Sequence, residues 1–273
     1  MDRKLVIIPT YNEKENIADI IAAVFALPGT FHILIIDDNS PDGTADIVKQ
    51  LQKQEADSLS GASAQFSAEE RESASCQKLH LLERSGKLGL GTAYLTGFQW
   101  ALEHGYDYVF EMDADFSHNP QDLLRLYKAC AKEGADVAVG SRYCNGVSVV
   151  DWPISRILMS YFASTYVRGV LRMHVYDTTA GFVCYTRKVL ETMDLNAVKM
   201  KGYGFQIEMK YTAWKLGFTI KEVPIIFTNR QKGTSKMSGG IFGEAFWGVI
   251  ALRFRKITEA QQADQVPSPR EGI

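Results

Sequence analysis

Apolar positions along this chain fall into short blocks that change period. Lys4–Ile8 is an apolar run of strand length closed by Pro9, and Ile17, Ile20, Ile21 and Val24 then recur at helical spacing. Phe31–Ile36 is a second run, followed by a helical pattern through Ile47, Val48 and Leu51. Leu79–Glu83, Tyr106–Phe110 and Val137–Gly140 continue the strands; helices to about His104 and over Gln121–Ala131 separate them. Strand and helix in alternation predict an α/β domain, a mostly parallel sheet flanked by helices.

The second half is less regular. Trp152–Arg172 predicts a long helix, Phe182–Tyr185 a strand, and Gly202 to about Gly217 another helix. Glu222–Phe227 is extended, with Pro224 marking an edge strand. Gly239–Lys256 predicts an amphipathic helix rich in Phe, Trp and Ile. Glu55 to Gln77 is dominated by Ser, Ala and Glu and predicts a surface insertion, mobile or weakly helical. Three regions result: residues 1–240 as one domain, 241–257 as a helix lying in an interface, and 258–273 as a disordered tail.

Composition narrows the function. The chain has 273 residues, 46% hydrophobic and 23% charged, with net charge −2. No global basic field invites nucleic acid. Cys76, Cys130, Cys144 and Cys184 lie far apart. They point to a reducing compartment and away from a structural zinc. The apolar run at Leu5–Ile8 is too short for a signal peptide, and the late run Ala245–Leu252 is too short to span a bilayer, which takes about 20 residues.

The candidate chemistry lies where strands end. Glu111-Met-Asp-Ala-Asp-Phe-Ser-His-Asn-Pro120 puts Asp113 and Asp115 one residue apart past a strand, the edge where open α/β sheets bind ligands. Carboxylates so close repel each other unless a cation sits between them, and a hard divalent ion completed by phosphate oxygens suits the place. The alternative is an Asp pair that only caps a turn. After the first strand, Tyr11 can offer a ring face and Glu13 an acceptor to a base or ribose; Thr10 or Asn12 can equally cap the helix that follows. Asp37 and Asp38 end the second strand, beside strong turn chemistry at Ser40-Pro-Asp-Gly. Gly86, Gly89 and Gly91 beside Arg84 and Lys87 suggest a loop that approaches phosphate without being a Walker loop. Arg142 ends a further strand, Asp177–Phe182 is a loop, and Arg230–Lys236 is a cationic loop.

Six of these motifs stand in one order: Pro-Thr-Tyr-Asn-Glu at 9–13, Asp-Asp-Asn-Ser-Pro-Asp-Gly-Thr at 37–44, Gly-Leu-Gly-Thr-Ala-Tyr at 89–94, Met-Asp-Ala-Asp-Phe-Ser-His-Asn-Pro at 112–120, Gly-Ser-Arg-Tyr at 140–143 and Ser-Lys at 235–236. In this the chain resembles the dolichyl-phosphate, or polyprenyl-phosphate, mannosyltransferases of glycosyltransferase family two, from about residue 4 to residue 256. The resemblance implies a GT-A fold and inverting transfer of mannose from GDP-mannose to dolichyl or undecaprenyl phosphate, with Mg²⁺ or Mn²⁺. It implies nucleotide-sugar contacts at Pro9, Tyr11, Glu13, Ile36 and Asp38, with Lys87 beside them and Ala114 touching the donor. It also implies metal ligands at Asp113 and Asp115, and at Ser117 where relatives often carry Gln. Arg142, Arg230 and Lys236 match phosphate-holding positions, Arg142 serving both substrates; Arg156 and Ser160 match positions near the lipid phosphate.

A lipid phosphate is ionised near neutral pH, so it needs positioning and not a base. Some relatives carry C-terminal membrane helices. Here a peripheral seat on the cytoplasmic face of a membrane is expected, through the Trp152–Arg172 and Gly239–Lys256 helices or small membrane subunits. Two other readings remain open at this stage: another donor such as UDP-glucose, and a silent nucleotide-sugar-binding subunit of a membrane complex.

Overall fold

A computed structural model describes residues 2–62, 77–200, 202–230, 241–257 and 260. The strands are β1 (Lys4–Thr10), β2 (Phe31–Asp37), β3 (Leu79–Glu83), β4 (Tyr108–Glu111), β5 (Val137–Ser141), β6 (Val149–Val150), β7 (Val183–Thr186), β8 (Ile220–Pro224) and β9 (Phe227–Thr228). The described α-helices are α1 (Ile17–Phe25), α2 (Thr44–Ala62), α3 (Leu90–Glu103), α4 (Asp122–Ala131), α5 (Ile154–Leu171), α6 (Arg187–Thr192), α7 (Gly202–Lys215) and α8 (Ile241–Phe254).

Seven strands form one sheet in the order β3-β2-β1-β4-β7-β5-β8, and β6 pairs with β9 separately. Only β7 runs against its neighbours β4 and β5; the other pairings in the large sheet are parallel. The carboxyl ends of β1, β2, β3, β4, β5 and β8 therefore share one rim. The chain enters β1 from an apolar run because both faces of that strand are covered. Leu5 and Ile7 pack with Tyr94, Phe98 and Phe205 on one face, whereas Val6 and Ile8 pack with Ile17, Ile20 and Leu123 on the other. A third apolar cluster joins α5, α7 and α8 through Val167, Leu171, Tyr211, Val249 and Leu252. Gly97 lets α3 lie close to the sheet, since a Cβ there would meet Ile7 at 2.7 Å.

Several boundaries differ from the pattern, each for a local reason. β1 runs through Pro9 to Thr10, held in register with β2. Neither Thr10 nor Asn12 caps α1: the Thr10 hydroxyl donates to Asp37 at 2.8 Å, Asn12 is left-handed at φ 55°, and Asn16 precedes the helix. Asn119 Oδ1 takes the Gln121 amide at 3.1 Å in the turn that leads into α4, and the helix begins at Asp122. α2 continues to Ala62, and its Glu55 carboxylate accepts the amides of Lys78 (2.8 Å) and Leu79 (3.2 Å) at the start of β3. The start of the expected insertion is thus helical and on the surface, tied to β3 through Glu55 while Ala56, Asp57 and Ser58 are exposed; residues 63–76 lie outside the described residues. Pro224 does sit on an edge strand, as β8 pairs with β5 alone. The tail from residue 261 lies outside the described residues.

Candidate active site

The rim gathers Glu13, Asp38, Asp113 and Asp115 from the first half of the chain and Arg142 and Arg230 from the second. β4 ends at the buried Glu111, and the turn after it carries Asp113, Ala114 and Asp115. Asp115 Oδ1 accepts the Ser117 amide at 3.0 Å, and its Oδ2 accepts from Arg230 Nε at 3.0 Å. Arg230 also reaches Glu13 Oε1 at 3.1 Å, so one guanidinium bridges the turn after β4 to the turn after β1. The segment that carries Arg230 is delivered by main-chain bonds: Thr228 N to Ser117 O, Phe227 N to Ser148 O and Asn229 N to Val150 O. Glu13 is fixed further by the Asn16 amide group at 2.9 Å and, through its own N–H, by the Thr44 hydroxyl at 3.0 Å.

Electrostatics split the aspartate pair. Burial, and then the Asp115 carboxylate beside it, push Asp113 up to about 7. Burial pulls Asp115 the same way, but bonds from Ser117 and the charge of Arg230 outweigh it and hold its carboxyl below the usual range. Glu111 beneath them is pushed up to about 8 by burial, against the pull of Lys210. His118 stacks on Phe182 at 4.8 Å, and burial lowers it to about 4, so it is neutral at pH 7. The excess of hard oxygen donors at Asp113, Asp115 and Ser117 fits a divalent cation. Among the described residues no group of three or more His, Cys, Asp or Glu could hold a metal unaided. Such a two-carboxylate seat suits Mg²⁺ or Mn²⁺ completed by substrate phosphate and water.

The other expected contacts are distributed around this turn. Asp38 ends up buried at the tip of β2 and is gripped by Arg84, whose Nε lies 2.6 Å from Oδ1. Arg84 also donates to Thr92 Oγ1 and Gly89 O, so it is a strut of the loop before α3 and not a loop cation waiting for phosphate. Gly91 is likewise a packing residue, because a Cβ there would touch the Phe205 ring at 3.0 Å. Lys87 lies over the Tyr11 ring at 5.1 Å, and Pro9 and Ile36 are register partners on β1 and β2. Asp37 is internal: it takes Thr10 Oγ1, Ser40 N and Ser40 Oγ.

Arg142, just past β5, is buried. It forks onto Asp177, Nε to Oδ2 at 2.7 Å and Nη2 to Oδ1 at 2.6 Å, while its own amide donates to Oδ2 at 2.9 Å. Tyr143, Trp152 and Phe227 face its guanidinium at 5.3, 5.6 and 5.5 Å. Arg156 lies over the same Trp152 ring at 4.0 Å, so one indole holds two cations together. Ser160 follows one turn later on α5. Lys236 lies outside the described residues. Asp177 was legible only as a loop residue. Its partnership with Arg142 spans 35 positions and has no local signal.

Comparison with known proteins gives the family and the fold. Residues 5–194 match the model of "Glycosyl transferase family 2". The polyprenol monophosphomannose synthase of Mycolicibacterium smegmatis is 44% identical over 252 residues, 90% of this chain and 87% of that protein. The undecaprenyl-phosphate mannosyltransferase of Micrococcus luteus is 41% identical over 254 residues, 91% and 95% of the two chains. Among solved structures, glucosyl-3-phosphoglycerate synthase from Mycobacterium tuberculosis with Mn²⁺, UDP and phosphoglyceric acid superposes with a TM-score of 0.63 at 15% identity, covering 93% of this chain and 79% of that one. Its complex with Mn²⁺, UDP-glucose and phosphoglyceric acid gives 0.61 at 16%, covering 92% and 80%. At that identity the likeness speaks for the fold, a GT-A glycosyltransferase sheet.

Proposed function

The chain belongs to glycosyl transferase family 2 and is a glycosyltransferase, and from that premise we propose that it transfers mannose from GDP-mannose to a polyprenyl phosphate, with inversion and with Mg²⁺ or Mn²⁺ at Asp113, Asp115 and Ser117. The observation that carries the reading is identity above 40% over nine-tenths of the chain with two proteins named for that product or transfer. The rim has the matching chemistry. A bound divalent ion supplies charge neutralisation to a diphosphate leaving group.

The chain's own residues do the rest. Glu13, Asp38, Tyr11 and Lys87, with Pro9, Ile36 and Ala114, form the nucleotide-sugar side. Arg230 carries positive charge to the same turn, and Lys236 belongs to the segment that follows it. Arg142, Arg156 and Ser160 orient the acceptor phosphate. No side chain need take a proton from it, because a phosphate ester with a second pKa of roughly 6 is already ionised. The carboxylate nearest Arg142 is Asp177, and although its burial opposes this, Arg142 holds it below the usual range. That makes Asp177 an anchor for a cation and a poor base.

The acceptor's lipid tail explains an otherwise odd surface. No helix of the described residues is long and apolar enough to cross a membrane. Yet α5, which carries Arg156 and Ser160, exposes Ile154 (75%) and Phe162 (63%), and α8 exposes Trp247 (70%). The helices are joined by Tyr166, which stacks on Phe246 at 4.6 Å and donates to its carbonyl at 3.0 Å. This face supports peripheral attachment to a membrane surface, with the phosphate site on the helix that meets the lipid. The test is a panel of labelled donors, GDP-mannose and UDP-glucose among them, with undecaprenyl and dolichyl phosphates, with and without chelator. Mannolipid formed only from GDP-mannose and only with metal is expected. Transfer from UDP-glucose alone, or none from any donor, would overturn the reading.

A further inference from the structure

Lys210 is an unusual residue to find fully buried in α7. Its ammonium donates to the carbonyls of Ala180 (2.6 Å), Gln206 (3.1 Å) and Thr178 (3.3 Å), and to Gln206 Oε1 at 3.4 Å. All four acceptors are uncharged oxygens, and two belong to the loop before β7. A buried cation is costly unless its protons are all taken up, and an apolar residue would pack there more cheaply. The opposite edge of the same loop is held by Glu222 on β8, whose two oxygens accept the amides of Tyr176 (2.7 Å) and Asp177 (2.9 Å). Thr178 adds a hydroxyl contact to Ser164 of α5 at 3.3 Å. Residues 176–180 are thus gripped by their N–H groups from one side and their C=O groups from the other. Between the grips stands Asp177, and Thr179 Oγ1 accepts a further bond from Arg142 at 2.9 Å.

We infer that Lys210 and Glu222 are positioning residues, which hold the 176–180 loop so that Asp177 and Thr179 present Arg142 to the acceptor phosphate; the inference rests on the assignment of Arg142 to that phosphate. Neither residue touches a reacting atom. Arg142 is aimed by directional bonds: Asp177 takes its fork in two-pronged geometry and Thr179 Oγ1 takes a further N–H, whereas the aromatic rings around it fix no rotation of the guanidinium. The carboxylate that aims it lies in a turn that owes its shape to side chains from β8, α5 and α7. The selectivity of the effect follows for the loop: disturbing it should alter how the acceptor is held more than the nucleotide side, built on β1, β2 and β4, and Glu222 gives the cleaner reading because Lys210 also faces the buried Glu111 at the end of β4.

The experiment is steady-state kinetics of the full chain with GDP-mannose and undecaprenyl phosphate, for Lys210→Met, Glu222→Gln, Arg142→Lys and both double variants. Lys210→Met removes the grip on the carbonyls. Glu222→Gln sets a donor against one of the two amides. Each is expected to raise the acceptor KM about tenfold, the scale of one weakened charge-assisted bond, with the donor KM changed less than about twofold. In the Arg142→Lys background neither should add to the rise already present. A fall in kcat and thermal stability with both KM values unchanged would make the two residues merely structural and overturn the inference. So would full additivity with Arg142→Lys. If Arg142→Lys itself leaves the acceptor KM unchanged, the fault lies in the assignment of Arg142, and the inference falls with it for that separate reason. Should Lys210→Met fail to fold, Glu222→Gln, at a half-buried position on the edge strand, decides the matter.

Discussion

Asp115→Asn tests the proposed metal-holding role of the rim apart from its structural role. In the fold, Asp115 has two duties: Oδ1 receives the Ser117 amide and Oδ2 receives Arg230. Asn keeps the first, since its carbonyl oxygen can still accept. It loses the second, but Arg230 retains Glu13, and the repulsion that lifts Asp113 disappears. These terms oppose each other, so the net structural cost should be about 1 kcal/mol, or roughly 3 °C in melting temperature for a chain of this size. The loss in transition-state stabilisation is far larger if Asp115 holds a divalent ion. Several kcal/mol is expected, a rate about a thousandfold lower at saturating substrates. Asp113→Asn makes the contrast sharper. It removes a carboxyl that burial already disfavours, so the melting temperature should hold or rise while activity falls by a similar factor. The assays are thermal unfolding, GDP binding with and without Mn²⁺ by calorimetry, and turnover with excess Mg²⁺ and Mn²⁺. Turnover of Asp115→Asn within tenfold of the parent, or metal-dependent GDP binding of undiminished strength, would refute the reasoning.

At the opposite edge of the sheet, burial lowers His32 and His80 to about 4 from 6.5, with Arg3, Lys4, Lys78 and His104 nearby and Tyr106 Oη bonded to His32 at 2.8 Å. Between those values the unfolded chain binds more protons than the folded one. The melting temperature should therefore fall as pH drops from about 6.5 to 4, and His80→Phe should flatten that slope; a flat profile in the parent would contradict the burial of the pair. Glu55→Ala should lower stability by about 1–2 kcal/mol through the two orphaned amides at Lys78 and Leu79, without changing either KM; an unchanged melting temperature would show that this end of α2 does not carry β3. Phe246→Ser with Trp247→Ser should weaken liposome binding and turnover of a long-chain lipid phosphate while sparing a short water-soluble prenyl phosphate. Equal losses on both acceptors would place the membrane contact elsewhere.

What could be seen in the sequence is what is local. Strand runs closed by Pro or Asp, helices at 3.6 spacing and acids at strand ends are contiguous signals, and β1, β2, β3 and the 111–120 turn follow from them. The order β1-β4-β7-β5 does not, because the reversed strand β7 inserts between β4 and β5 through pairings such as Phe110 with Cys184 and Ala138 with Cys184. Within the site, Asp113, Asp115 and Arg142 announce themselves by position. Arg84 misleads for the same reason: beside three glycines it has the look of a phosphate ligand, but Asp38, 46 positions away, takes it. Asp177, Lys210 and Glu222 carried no motif at all. Their bonds join a loop to elements 30 to 45 residues distant, and only the closed sheet brings them together.

On the proposed assignment of the site, the buried charges behind the rim account for how the two halves of the chain divide the work. The nucleotide half rests on parallel strands whose ends are fixed by the ladder itself, so Glu13 and Asp115 need only short turns to reach their places. The acceptor half has no such frame. Arg142 follows β5, but its aim depends on the loop that leads into β7, the one strand running the other way. A reversed strand delivers its preceding loop, not its following one, to the carboxyl-end rim. That loop then needs anchoring from outside the ladder, and Lys210, Glu222 and Ser164 provide it from α7, β8 and α5. Apolar side chains in their place would avoid the desolvation of buried charge but would leave the loop that carries Asp177 without these bonds. The cost in stability is thus tied to topology: charge is buried at the point where the sheet cannot hold the site by its own hydrogen bonds.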